Sequence, residues 1–278
     1  MKQLDLEKEK VGKLIKTFAI PCVISMIVAA LYNIVDQIFI GWSEAGAFGN
    51  AATNIVYPFT VISLAFALLV GDGAAALFNL SLGAKENEKA NKSIGNGIIL
   101  LIFISFILTM VGLVFSKQIL SIFGGNPSEV ECYQYAKDYL RIICYGLPFY
   151  IIGQGLNASI RSDGSPKYAM MATTIGAIAN IILDPIFIFT LKMGVKGAAI
   201  ATVIGQILTF VVSIMYLRNA KQFKITKESI QLDKDVCNQS LSLGLASLIT
   251  QLAIVIIIAF FIIAFIIYKF RVLCASRD

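Results

Sequence analysis

Seven uninterrupted apolar runs govern what this chain can fold into. They cover approximately residues 14–40, 55–82, 94–115, 139–160, 168–191, 197–217 and 241–268. Each is long enough for a helix to cross about 30 Å of hydrocarbon, which takes roughly 20 residues. A membrane strand would alternate apolar and polar positions over about ten residues, whereas these runs are continuous and much longer. Lipid offers no partners for exposed backbone groups, so such segments must be helical. The expected fold is therefore all-α, a polytopic transmembrane helical bundle. Composition agrees, because 14% charged residues is well short of the ~25% of soluble domains.

The same sequence narrows chemistry. It contains no histidine, which excludes His-based triads, HExxH zinc sites and imidazole relays. Its five cysteines form no CxxC pair, so neither a zinc knuckle nor a disulfide framework is expected. No nucleophile–base pair, metal cluster or nucleotide loop stands out, and the chain is not expected to be an enzyme or to need a cofactor. The first run is too long for a signal peptide, and no small-residue cleavage pattern interrupts it before Tyr32.

The formal net charge of +6 concerns the bilayer and not nucleic acid, because the basic residues lie between the apolar runs. With the N-terminus inside, Lys2, Lys8, Lys10, Lys13 and Lys16 share the inner side with Lys85, Lys89, Lys92, Arg161, Lys167, Arg218, Lys221, Lys224, Lys227 and Lys234. Fifteen inner basic residues against five outer ones satisfy the positive-inside rule. A plasma-membrane protein with a cytoplasmic N-terminus is expected. The tail breaks the pattern, since alternation would place Lys269, Arg271 and Arg277 outside.

Acids at membrane depth are costly and mark functional positions by default, at roughly 2.5–3.5 kcal/mol each on the insertion scale. Asp36 shares a helix face with Tyr32 and Asn33 and neighbours Gln37, fifteen residues beyond Pro21, which should bend the first helix. It reads either as a functional acid or as the wet outer end of its helix. Asp184 ends a four-residue stripe of Ala172, Gly176 and Asn180 and precedes Pro185; small residues let a neighbouring helix approach, which turns the polar pair into the bundle. Ridges of Gly197, Ala201, Gly205 and of Ala198, Thr202, Gln206 repeat this device one span later. Thr202 reads as an oxygen ligand or as a threonine bonded to its own helix. Asp36, Asn180, Asp184 and Thr202 offer only hard oxygens, suited to Na⁺ or to a carried proton. Asp72, between Gly71 and Gly73, reads as a loosened helix end near the inner surface, and Arg161 as an anchor beside Asn157.

Five ordered stretches resemble one family. LYNIVDQIFIG (31–41), GDGAAALFNLSLGAK (71–85), GQGLNASIRSDGSP (153–166), NIILDPIF (180–187) and GVKGAAIATVIGQ (194–206) are similar to signatures of the multidrug and toxic compound extrusion (MATE) transporters, over about residues 10–255. The resemblance implies a two-lobed, twelve-helix antiporter with a central cleft, exporting cationic amphipathic drugs or dyes in exchange for Na⁺ or H⁺. It implies a cation site at Asp36, Asn180, Asp184 and Thr202, with Tyr32, Asn33, Gln37, Asn157 and Gln206 at its periphery or in the substrate cleft, and a helix bend at Pro21. It also implies a six-helix N-lobe over residues 1–217, a cytoplasmic inter-lobe linker over 218–239 and the first helix of a second lobe over 240–278. LGLAS (243–247) restarts the repeat begun by FAIPC (18–22), yet the fifteen-residue step that links Pro21 to Asp36 leads from Ala246 to Phe261. The second polar cluster is missing, and a truncated or frameshifted gene is expected. Two other readings stand beside the antiporter. A lipid-linked saccharide flippase would want several bases in its spans, which hold acids instead; a non-transporting membrane remnant would need nothing.

Overall fold

The computed structural model describes residues 11–275. The expectations placed on Lys2, Lys8, Lys10 and Arg277, and on the side chains of Lys269 and Arg271, fall outside what it describes. The described residues are helical with no strand among them. Helices α1 (Val11–Trp42), α2 (Gly46–Gly83), α3 (Asn87–Val114), the short α4 (Ser116–Ile122), α5 (Val130–Ser162), α6 (Pro166–Pro185), α7 (Val195–Leu217) and α8 (Lys234–Ala275) follow in order. A π-helical segment, Ile186–Thr190, extends α6.

All seven apolar runs lie in helices. Six of those helices are long and apolar enough to cross a membrane, and α5 is the exception. Its position explains this. Helix α5 packs on α2, α3, α6 and α7, and a helix walled off from lipid by its neighbours does not need an apolar surface all round. Its enclosed part therefore carries the buried Asn157, while Glu131 and Arg141 toward its start are exposed. Helices α2 and α5 form the centre, α3 and α7 flank them, and α6 packs on α7 with α1 outside it.

Close crossings use the small residues. A Cβ on Gly71 would meet Gly155 Cα at 2.6 Å, and one on Gly176 would meet the Gly205 carbonyl oxygen at 2.5 Å. The stripes of α6 and α7 thus meet backbone to backbone. Asp72 needs a correction here. Helix α2 runs unbroken to Gly83, so Asp72 does not mark a loosened end; its two glycines serve close approach, Gly71 to α5 and Gly73 to α8, where a Cβ would run into the Ser240 carbonyl oxygen.

Helix α8 starts at Lys234, inside the stretch read as linker, and lies along α2. The preceding segment is pinned rather than loose. Asn96 donates to the Ser229 and Gln231 carbonyls (3.4 and 3.1 Å) and accepts from the Asp233 N–H at 2.8 Å. Asp163 is fully buried; it accepts the Lys221 and Gln222 N–H groups at 2.7 Å each, and the Tyr216 hydroxyl donates to it as well. One carboxylate so ties the α5–α6 turn to the end of α7 and the chain beyond it.

The α2–α8 contact gives a direct test. A Cβ on Gly244 would run into the Leu69 carbonyl oxygen, and backbone cannot yield as a side-chain tip can. Gly244→Ala is expected to lower stability by about 1–3 kcal/mol, the usual cost of overpacking. Thermal unfolding in detergent reads this, and an unchanged melting curve would show that the helices do not press together there.

Candidate functional site

A chamber of about 500 Å³ opens between α1, α2, α5, α6 and α7. Packing creates it: α1 leans on α6 and touches α2 only sparsely, so the bundle is not closed on that side. Aromatic and thioether side chains (Met26, Tyr32, Phe149, Tyr150, Met170) mix in its wall with Gln154, Asn157, Thr173, Asn180, Thr202, Gln206 and Thr209.

Four of the expected cation-site residues gather at one end. Asn180, one turn before Asp184, donates to Asp184 Oδ1 at 3.2 Å and reaches Thr202 Oγ1 of α7 at 3.4 Å. Asp184 has no exposed surface and Asp36, on α1, is buried. The two carboxylates lie near enough for Asp184 to feel the charge on Asp36. Neither acid lines the chamber, however; Tyr32, Asn180 and Thr202 stand in its wall. Asp36 Oδ1, Asp184 Oδ2 and Asn180 Oδ1 are buried without a hydrogen-bond partner. A buried polar atom left unpaired is costly, about 1–3 kcal/mol, and oxygens of this kind are what a small hard cation or a bound proton would satisfy. Such hard oxygens suit Na⁺ or a carried proton alike.

The peripheral residues divide. Tyr32, Asn157 and Gln206 line the chamber, and Asn157 keeps both amide atoms unpartnered. Gln37 meets the Asp36 side chain and also reaches Thr53 of α2 at 3.1 Å, bracing α1. Asn33 is exposed and donates to the Ala29 carbonyl of its own helix at 2.8 Å, and its side chain also meets Tyr32. Pro21 is buried within α1, whose helical turns continue through it. Sequence reasoning missed Tyr139, which lies in the field of both acids and beside Thr202. It stands at the head of an apolar run on another helix, with no local pattern to mark it.

Arg161 and Asp72 face each other at the opposite end, Nη2 to Oδ1 3.7 Å, and Asp72 also accepts from Ser247 Oγ of α8 at 2.8 Å. That end carries the α2–α3 and α5–α6 turns with Lys85, Lys89, Lys92, Lys167, Arg218 and Lys221.

This bundle and chamber define a multi-pass membrane protein with a polar compartment held inside its helices. The family model described as MatE matches residues 21–186, and the chain belongs to that family. It is 26% identical over 256 residues to "Probable multidrug resistance protein YoeA" of Bacillus subtilis strain 168, covering 89% of this chain and 54% of that protein. It is 28% identical over 251 residues to the multidrug export protein MepA of Staphylococcus aureus strain MRSA252, covering 88% and 54%. Among solved structures, a ligand complex of the MATE multidrug transporter DinF-BH superposes with a TM-score of 0.84 at 32% identity, covering 93% of this chain and 58% of that one. The chain spans about half the length of the relatives it matches.

Chamber geometry can be checked by thiol labelling. Cys22 lines the chamber, while Cys132 and Cys144 are buried in the core. A small membrane-permeant maleimide is expected to modify Cys22 at least about tenfold faster than Cys132 or Cys144, by peptide mass mapping, since a thiol must be reached to react. Equal labelling of the three would contradict the packing described.

Proposed function

We propose that the chain is the N-terminal, six-helix portion of a secondary multidrug efflux antiporter, with α8 beginning a second lobe. The function is export of cationic amphipathic compounds in exchange for Na⁺ or H⁺ across the plasma membrane. The observation that carries this reading is the meeting of Asp36 and Asp184 with Asn180 and Thr202 behind one end of an aromatic-walled chamber, with three buried oxygens left for a cation. The end rich in Lys and Arg faces the cytoplasm in this reading, following the positive-inside rule, which puts the N-terminus inside and the acids nearer the outer face.

The chemistry follows from those side chains. The acids and the amide oxygen present hard ligands to the coupling ion, and Asn180 and Thr202 bind α6 to α7 so that loading the site is felt in the chamber wall. A substrate with an apolar body would lie against Met26, Phe149, Tyr150 and Met170. Ion and substrate then compete through Asn180 and Thr202, which belong both to the cation site and to the chamber wall. The names of the relatives, a multidrug export protein and a multidrug transporter solved as a ligand complex, support the substrate class.

Two experiments test the reading. In a two-lobed, twelve-helix form, Asp184→Asn is expected to abolish gradient-driven dye efflux from vesicles while expression stays normal; unchanged efflux would sink it. Residues 1–278 alone are expected to give no ethidium efflux above empty vector in a strain without its own exporters. Alternating access needs two repeats rocking against each other, and the cleft here has one wall. Efflux that collapses with the ion gradient would overturn this second claim.

A further inference from the structure

Among the described residues lining the chamber, Asp72 and Arg161 alone are charged. They also border a second cavity of about 690 Å³ whose wall includes Phe18, Asn79 and Gln222. The pair therefore belongs to the walls of both cavities. A structural anchor would be buried with close, two-point contact. Here the contact is single and loose at 3.7 Å, and the Arg161 and Asp72 side chains are 39% and 34% exposed.

The two partners differ in what else they hold. Asp72 keeps the Ser247 hydroxyl at 2.8 Å, so it retains a donor if Arg161 turns away. Arg161 presents a planar fork of five N–H donors that matches a carboxylate with two parallel bonds, and Asp72 occupies that fork incompletely. Along α6 the chamber wall runs from Pro166, beside the α5–α6 turn, to Asn180, about 21 Å at ~1.5 Å per residue. One end thus carries the Asp72–Arg161 pair and the other has the acids Asp36 and Asp184 behind Asn180.

We propose that Arg161 is an anion subsite of the chamber: it takes the carboxylate of an aromatic amphipathic ligand, and Asp72 is the resident counter-ion that the ligand displaces. The inference rests on the reading of this chamber as the substrate compartment. It concerns ligands that carry a carboxylate at one end and a positive, delocalised ring system at the other. When the ligand carboxylate takes Arg161, Asp72 keeps the Ser247 hydroxyl as its hydrogen-bond donor. No covalent step is involved.

The test uses the purified 278-residue chain in lipid nanodiscs and two dyes that differ in one group, rhodamine B with a free carboxylate and its ethyl ester without one. Fluorescence anisotropy gives each Kd near neutral pH. The affinity ratio of rhodamine B to ester is expected to fall roughly three- to tenfold in Arg161→Gln, as befits a partly exposed charge-assisted pair. It is expected to be restored in part in Arg161→Lys. In Asp72→Asn, which leaves Arg161 in place and free of its competitor, the ratio should rise. The opposite responses keep the proposal falsifiable should Arg161→Gln fold poorly. A ratio unmoved by Asp72→Asn, or moved the same way by both substitutions, would overturn the subsite while leaving ester binding, and with it the chamber's substrate role, intact. Failure of both dyes to bind would overturn both readings.

Discussion

The rest of the architecture depends on how closely α2 and α5 cross. At Gly71 and Gly155 the backbones are so near that a single Cβ on Gly71 would sit 2.6 Å from the opposing Cα. Between helices in lipid there is little hydrophobic drive, and association comes from van der Waals contact and from hydrogen bonds across the interface. Bringing two backbones together without intervening side chains maximises that contact. It also places α5 at the centre, where polar side chains can be carried through the bundle without facing hydrocarbon. Asn157 and Arg161 reach the chamber because α5 is enclosed in this way.

The same device recurs at Gly176 with Gly205 and at Gly73 and Gly244 with α8, and each instance positions a polar group beside it. Asn180 and Asp184 follow Gly176 at one-turn steps on α6, and Thr202 lies less than a turn before Gly205 on α7. Asp72 sits between Gly71 and Gly73, held from α5 by Arg161 and from α8 by Ser247. Small residues thus do more than pack. They set helices close enough for short polar side chains on two of them to share one partner. The chamber between α1 and α6 is the complement of this arrangement, a place where two helices lean together without closing onto α2.

A charge pattern results that is not evident from any one helix. The acids Asp36 and Asp184 are screened from the chamber by Tyr32, Asn180 and Thr202, while Asp72 and Arg161 face it openly. Asp163 and Asn96 serve a different purpose, each collecting backbone N–H groups or carbonyls of the segment between α7 and α8. They make that segment part of the bundle's surface.

Local pattern determined much of this protein. Run length alone specified membrane helices, because about 30 Å of hydrocarbon demands roughly 20 apolar residues whatever their neighbours. The four-residue steps Ala172, Gly176, Asn180, Asp184 and Gly197, Ala201, Gly205 specified which faces of α6 and α7 meet, because helical periodicity turns spacing into direction. Tertiary structure alone decided the rest. Asp72 read as a frayed end because glycine next to an acid loosens an isolated helix, and only the approach of α5 and α8 shows that those glycines are contact points. Asn33 shares a face with Tyr32 and Asp36 and meets Tyr32, yet it stays exposed and bonds its own helix carbonyl while Asp36 is buried, because a helix face is broader than the contact it makes. Tyr139, Asp163 and the Asp72–Arg161 pair carry no spacing signal, since their partners lie on other helices or in loops. Contacts between residues distant in sequence depend on which helices become neighbours, and close-packed backbones settle that only when the whole chain is folded.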